Sequence, residues 1–194
     1  MIRLPIFSVH SVLSISNSTI RIQGRALDTI KIKSKVFDLN SNLSCIEEIS
    51  IGNKQSSELS IMSEGIVTIK IDKDSFDIGE FLYGEQANDY IQTISFEQAT
   101  DMAEKFIRQD LVDYVEDPHV LFLHEVTLEA EYCWFFFYNP KIIIPEEKWL
   151  LKMLGAYAIS KKGEVSHTYN YLDDSVKARD YLNVMSGYFN KKGL

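Results

Sequence analysis

The pair His124-Glu125 is the first place to look for chemistry, because it opens the H-E-x-x-H pattern that zinc peptidases carry on one helix face. The closing position is Leu128, and the surrounding run Val120–Ala130 reads as a strand, where residues four apart do not build such a site. His10, His119 and His167 are scattered, with no spacing that suggests a triad or a ligand set. Glu146-Glu147 reads as the acidic first turn of a short helix. Cys45 and Cys133, the only cysteines, sit in apolar strand candidates. Both are expected to be buried free thiols, since two cysteines make neither a disulfide framework nor a zinc site. No G-x-x-x-x-G-K-[ST] loop is present, which excludes a P-loop GTPase. The residues therefore predict no catalytic group, no metal and no cofactor.

What remains is charge. Between Arg108 and Lys141 there is no Lys or Arg, while the same interval holds Asp110, Asp113, Glu116, Asp117, Glu125, Glu129 and Glu131. These seven acids are the candidate partner-binding residues. The chain carries a net charge of −8, divided as −2 over Met1–Asn88 and −6 over Asp89–Leu194. That balance disfavours nucleic acid as a partner and suits a basic protein, whose approach an acidic face accelerates.

The elements that must position these residues fall into two groups. From Met1 to about Tyr83, short β-rich segments alternate with turn residues. Phe7–Ile15, Thr19–Ala26, Ile30–Phe37, Ile46–Ile51 and Ile66–Ile71 are the strand candidates. In Ile30–Phe37 the alternation is strictest, and it predicts isoleucines on one face and lysines on the other. Short strands at about ten-residue spacing predict a small barrel or sandwich. The polar stretch Gly84–Asp89 is the expected linker, giving domains at 1–84 and 90–194.

In the second half, Ser95-Phe96-Glu97-Gln98 fits a capping box. Phe96, Ala99, Ala103, Phe106, Ile107 and Leu111 then follow helical spacing. The run Tyr132-Cys133-Trp134-Phe135-Phe136-Phe137-Tyr138, closed by Asn139-Pro140, predicts a central strand covered on both faces. The helix from Ser95 is its expected lid. Pro145–Gly155 reads as a short helix. Ala156–Ser160 and Glu164–Tyr171 flank the hairpin tip Lys161-Lys162-Gly163, and a last helix runs from Asp173 or Asp174 to about Phe189. The expected fold is thus a small β-barrel followed by an α+β domain with an antiparallel sheet packed on a helix. The start, Met1–Phe7, lacks the apolar h-region and cleavage site of a signal peptide. No window approaches the ~20 apolar residues of a membrane span. The expected location is a reducing cytoplasm.

Two resemblances follow from these residues. Gly24-Arg25-Ala26, Ile30–Phe37, Ile46-Glu47-Glu48-Ile49, Gly65 leading into Ile66–Ile71, and Ile78-Gly79-Glu80-Phe81-Leu82 resemble the second, β-barrel domain of translational GTPases of the elongation factor Tu type. Ser34 departs from that pattern, which has a glycine there. Trp134, Phe136 and Tyr138, then Gly155, Ala158, Ile159, Gly163 and Val165, then Tyr181 and Leu182, resemble the immunity protein 35 family, small bacterial proteins found beside polymorphic toxins. Here the chain inserts Pro145–Leu154. The second resemblance implies a non-catalytic protein that binds and occludes a cognate toxin, and the acidic interval implies that this toxin is basic. The first implies an alternative: a translation-associated adaptor that touches tRNA, ribosome or a factor through the barrel, with Arg21, Arg25, Lys31, Lys33 and Lys35 as its basic concentration.

Overall fold

The computed structural model describes residues 3–71, 76–86, 90–115, 117 and 119–194. The chain divides into two compact units, Met1–Ala87 and Asn88–Leu194. Both are built on antiparallel sheets, and helices occur in the second.

The first unit contains β1 (Arg3–Ile15), β2 (Thr19–Ala26), β3 (Ile30–Lys31), β4 (Lys35–Phe37), β5 (Leu43–Ile51), β6 (Lys54–Ser56), β7 (Glu58–Leu59), β8 (Glu64–Lys70) and β9 (Phe81–Gln86). The ladder runs β4-β9-β1-β2-β8-β5-β6, and an additional β4–β5 pairing closes six of these strands into a barrel. The period-2 alternation explains the interior: Ile20 and Ile22 of β2 and Val67 and Ile69 of β8 are buried, while Arg21 and Lys70 face out. Phe7, Val36, Ile46, Ile49, Leu59 and Leu82 complete the core. At Gly24 a Cβ would overlap the Ser8 carbonyl oxygen, so only glycine lets β1 and β2 approach this closely. Asp38 is buried and gathers the loop around it. It accepts the Asn42 N–H at 2.7 Å, the Asn42 side-chain amide at 2.7 Å and the Asp77 N–H at 2.9 Å. Burial raises its pKa, but those donors outweigh burial and hold the carboxyl below its ordinary value.

Two expectations are corrected here. Ile30–Phe37 is not one strand. Lys33 takes a left-handed φ of 72°, and the Lys31 N–H donates to Ser34 Oγ at 3.1 Å, which ties a turn between β3 and β4. Ile30 and Val36 are buried but Ile32 is 39% exposed, so the alternating faces are lost at the turn. Gly84, Glu85 and Gln86, expected in the linker, belong to β9. A Cβ at Gly84 would come within 2.8 Å of Ile6 Cγ2, so the glycine serves packing against β1 rather than a turn.

The second unit begins with α1 (Phe96–Leu111), and its capping box forms as expected. Ser95 Oγ accepts the Gln98 N–H at 3.1 Å and Gln98 Oε1 accepts the Ser95 N–H at 2.8 Å. A 3₁₀ turn, Val112–Tyr114, follows. The remaining elements are β10 (Leu123–Glu129), β11 (Cys133–Tyr138), α2 (Trp149–Met153), β12 (Ala156–Ser160), β13 (Val165–Thr168) and α3 (Ser175–Lys192). A 3₁₀ turn over Glu146–Lys148 precedes α2.

The sheet order is β10-β11-β12-β13, so the aromatic strand β11 is paired on both edges, and Cys133–Phe137 are all buried. Trp134 and Phe136 pack with Ala99, Ala103, Ile107 and Leu111 of α1. On the opposite face Phe135 meets Tyr181 of α3 with ring centroids 6.1 Å apart. The Tyr132 N–H donates to Ser186 Oγ at 3.1 Å. The expected single lid is therefore half of the cover: α1 closes one face and α3 the other. A continuous apolar strand requires this, since either open face would expose aromatic rings to water. Cys133 is buried and its thiol pKa is pushed up by burial, whereas Cys45, expected to be buried, is half-exposed at the β5–β8 pairing. No helix among the described residues is long and apolar enough to cross a membrane.

Candidate functional site

The sheet of the second unit has two ends, and the acidic interval is shared between them. Glu129 pairs with Trp134 at one end of the β10–β11 ladder, and Leu123 pairs with Tyr138 at the other. Four steps along β11 separate those positions, about 13 Å at ~3.3 Å per residue.

At the hairpin end, Glu129 Oε1 accepts from Lys161 Nζ at 2.7 Å, and Glu131 is exposed in the β10–β11 turn. At the Tyr138 end, Asp110 Oδ2 accepts the Tyr157 hydroxyl at 2.6 Å, with His167 Nε2 3.7 Å away. Asp113 is exposed in the 3₁₀ turn after α1. Asp117 is exposed and accepts the His119 N–H at 2.9 Å. Glu125 is exposed on β10. Glu116 lies outside the described residues. The candidates with partners or places on the sheet thus separate into Glu129 and Glu131 at one end and Asp110 and Glu125 toward the other.

Asp110 braces the fold. Tyr157 is buried, and burial first, then the Asp110 bond, pushes its hydroxyl pKa far above the ordinary value. It acts as a donor that pins the end of α1 to β12. Sequence reading missed this Tyr157–Asp110–His167 cluster, although the hairpin around Lys161-Lys162-Gly163 carried a signal for it. Pairing Ser160 with Glu164 across that tip places Tyr157 opposite His167, which is the observed register.

Glu125 sits where the sheet is least regular. Between Leu123 and Thr127, four steps along β10 correspond to two along β11, so β10 carries two additional residues in a bulge. Inside it the Val126 N–H donates to His124 Nδ1 at 2.9 Å. Beside the bulge runs a groove of about 560 Å³, lined by Glu104, Leu121, Phe122, Leu123, His124, Glu125, Asn139, Pro140 and Lys141. Its wall is held from α1: Arg108 donates to Glu104 at 2.9 Å, and the guanidinium lies 4.2 Å from the Phe122 ring centroid. Leu121 is 73% exposed at the rim. A larger groove of about 800 Å³ in the first unit is lined mainly by Val12, Ile15, Ile20, Ile71, Phe76 and Ile78, with Asp77 the one charged group among the described residues that line it. The smaller groove is the better candidate for a charged partner, because ionisable side chains converge there on an apolar floor.

No cluster of three or more His, Cys, Asp or Glu able to hold a metal occurs among the described residues. Compared with known proteins, the chain matches no family model, no curated protein and no solved structure.

Proposed function

We propose that this chain is a bacterial immunity-type protein that binds and occludes a cognate toxin in the cytoplasm, without catalysis. The observation that carries the proposal is the groove beside the β10 bulge. There Glu125 is exposed at an open sheet edge, next to the apolar Leu121 and Pro140 and with Glu104 in the same lining. Exposed carboxylates around an apolar floor suit a basic partner: the charges speed the encounter and the floor supplies burial. The pattern Trp134, Phe136, Tyr138, Gly155 and Gly163, similar to the immunity protein 35 family, supports the same reading.

The alternative, a translation-associated adaptor, requires Lys31, Lys33 and Lys35 to act as one basic stripe. They are distributed over β3, the turn and β4, and Lys31 and Lys35 approach Glu58 at 3.9 Å and Glu85 at 3.6 Å. The test is co-purification of the chain with the product of the neighbouring gene. A stable complex that is weakened at least tenfold by Glu125→Lys supports the proposal, and absence of any complex overturns it.

A further inference from the structure

We propose that His124 is a pH-responsive latch on the β10 bulge, one that regulates the groove; its functional consequence rests on reading that groove as the toxin-contact surface. The argument begins with the broken ladder. With two additional residues between Leu123 and Thr127, the backbone here is not held by regular pairing with β11. The Val126 N–H is taken instead by the side chain two residues back, His124 Nδ1, at 2.9 Å. A ring nitrogen accepts a hydrogen bond only through its lone pair, so this bond exists with the neutral imidazole protonated at Nε2. Protonation places an N–H on both ring nitrogens. Donor then faces donor, and the bond that shapes the bulge is lost.

The surroundings determine what that loss does. Among the described residues, the charged groups about the groove are Glu104 and Arg108 from α1, Glu125 from β10 itself and Lys141 after β11, while the segment before β10 contributes the apolar Leu121 and Phe122. Glu104 is engaged by Arg108 at 2.9 Å, and Glu125 is the next residue after His124. Release of Val126 therefore moves the carboxylate that the partner meets. The new imidazolium also adds positive charge to a groove suited to a basic partner. Both effects have the same sign, so binding weakens when pH falls far enough to protonate His124.

The test uses the full chain labelled with ¹⁵N, titrated from pH 8 to pH 5. The expected result is a Val126 amide shift with a single midpoint that follows the His124 ring protons, and a tenfold or greater fall in the hydrogen-exchange protection of Val126 while Phe136 on β11 is unchanged. In His124→Asn the side-chain oxygen still accepts from the N–H two residues on and does not titrate, so Val126 should stay fixed across the range. A Val126 amide insensitive to pH in the native chain overturns the latch, as does one that moves equally in the Asn variant. If that variant fails to fold, the native titration decides alone. A complex with the neighbouring gene product that forms while Val126 ignores pH sinks the latch and leaves the toxin reading. A titrating Val126 in a chain that captures nothing does the reverse.

Discussion

In the first unit the ladder β4-β9-β1-β2-β8-β5 returns on itself through the β4–β5 pairing, whereas in the second β10 and β13 each keep one edge unpaired among the described residues. The barrel buries one face of each strand and reads as alternation. The sheet buries both faces of β11 under α1 and α3 and reads as an unbroken aromatic run. Closure spares the barrel an open ladder. The second unit instead guards β10 with Glu125 and Glu129 and with a two-residue bulge, the devices that keep an edge from pairing with a stray strand. The same irregularity makes room for a groove. The second unit thus carries its candidate site at the interrupted edge strand β10, whereas the register shifts of the barrel, in β1–β2, β1–β9 and β5–β8, fall between strands paired within the closed ladder.

Four substitutions sharpen that contrast, beginning with the largest expected effect. Phe136→Ala removes a buried ring between β11 and α1 and should destabilise the second unit by about 3–5 kcal/mol, read from urea unfolding followed by Trp fluorescence. Asp38→Ala removes the acceptor of three donors in the barrel loop, and a loss of about 2–3 kcal/mol is expected at neutral pH. Because the folded carboxyl lies below its unfolded value, that stabilisation is present above the ordinary carboxylate range and disappears as pH falls through the folded pKa. The native chain and the variant should therefore converge in melting temperature toward acid pH; a constant difference would contradict the assignment.

Gly24→Ala forces β1 and β2 apart at the Ser8 carbonyl and should lower the stability of the first unit by about 1–3 kcal/mol, read from urea unfolding followed by far-UV circular dichroism. Glu125→Lys, exposed at the irregular edge, should change stability by less than about 0.5 kcal/mol while weakening capture of a basic partner. A large stability change there would mean that Glu125 serves the bulge rather than the surface.

Much of the second unit was legible because its signals are local. Ser95 and Gln98 satisfy amides three residues apart, and Gly163, with φ of 93°, makes the hairpin turn where its type requires it. The barrel was less legible at Ile30–Phe37, since an alternating pattern cannot disclose that Lys33 leaves the extended region. The candidate site was legible as a composition and not as a place. Asp110 and Glu129 read as surface acids, yet one holds Tyr157 and the other Lys161, partners 47 and 32 residues away.

The sequence alone determined the type of nearly every element after Ser95, the greasy central strand and the basic-free interval, because periodicity, caps and charge are properties of neighbouring residues. Tertiary pairing decided that α3 covers the second face, that the acids divide between two sheet ends, and that His124 turns back to hold Val126. The place of Glu125 and the His124–Val126 bond depend on the register of β10 against β11, and register is fixed by how many residues two strands place between shared hydrogen bonds.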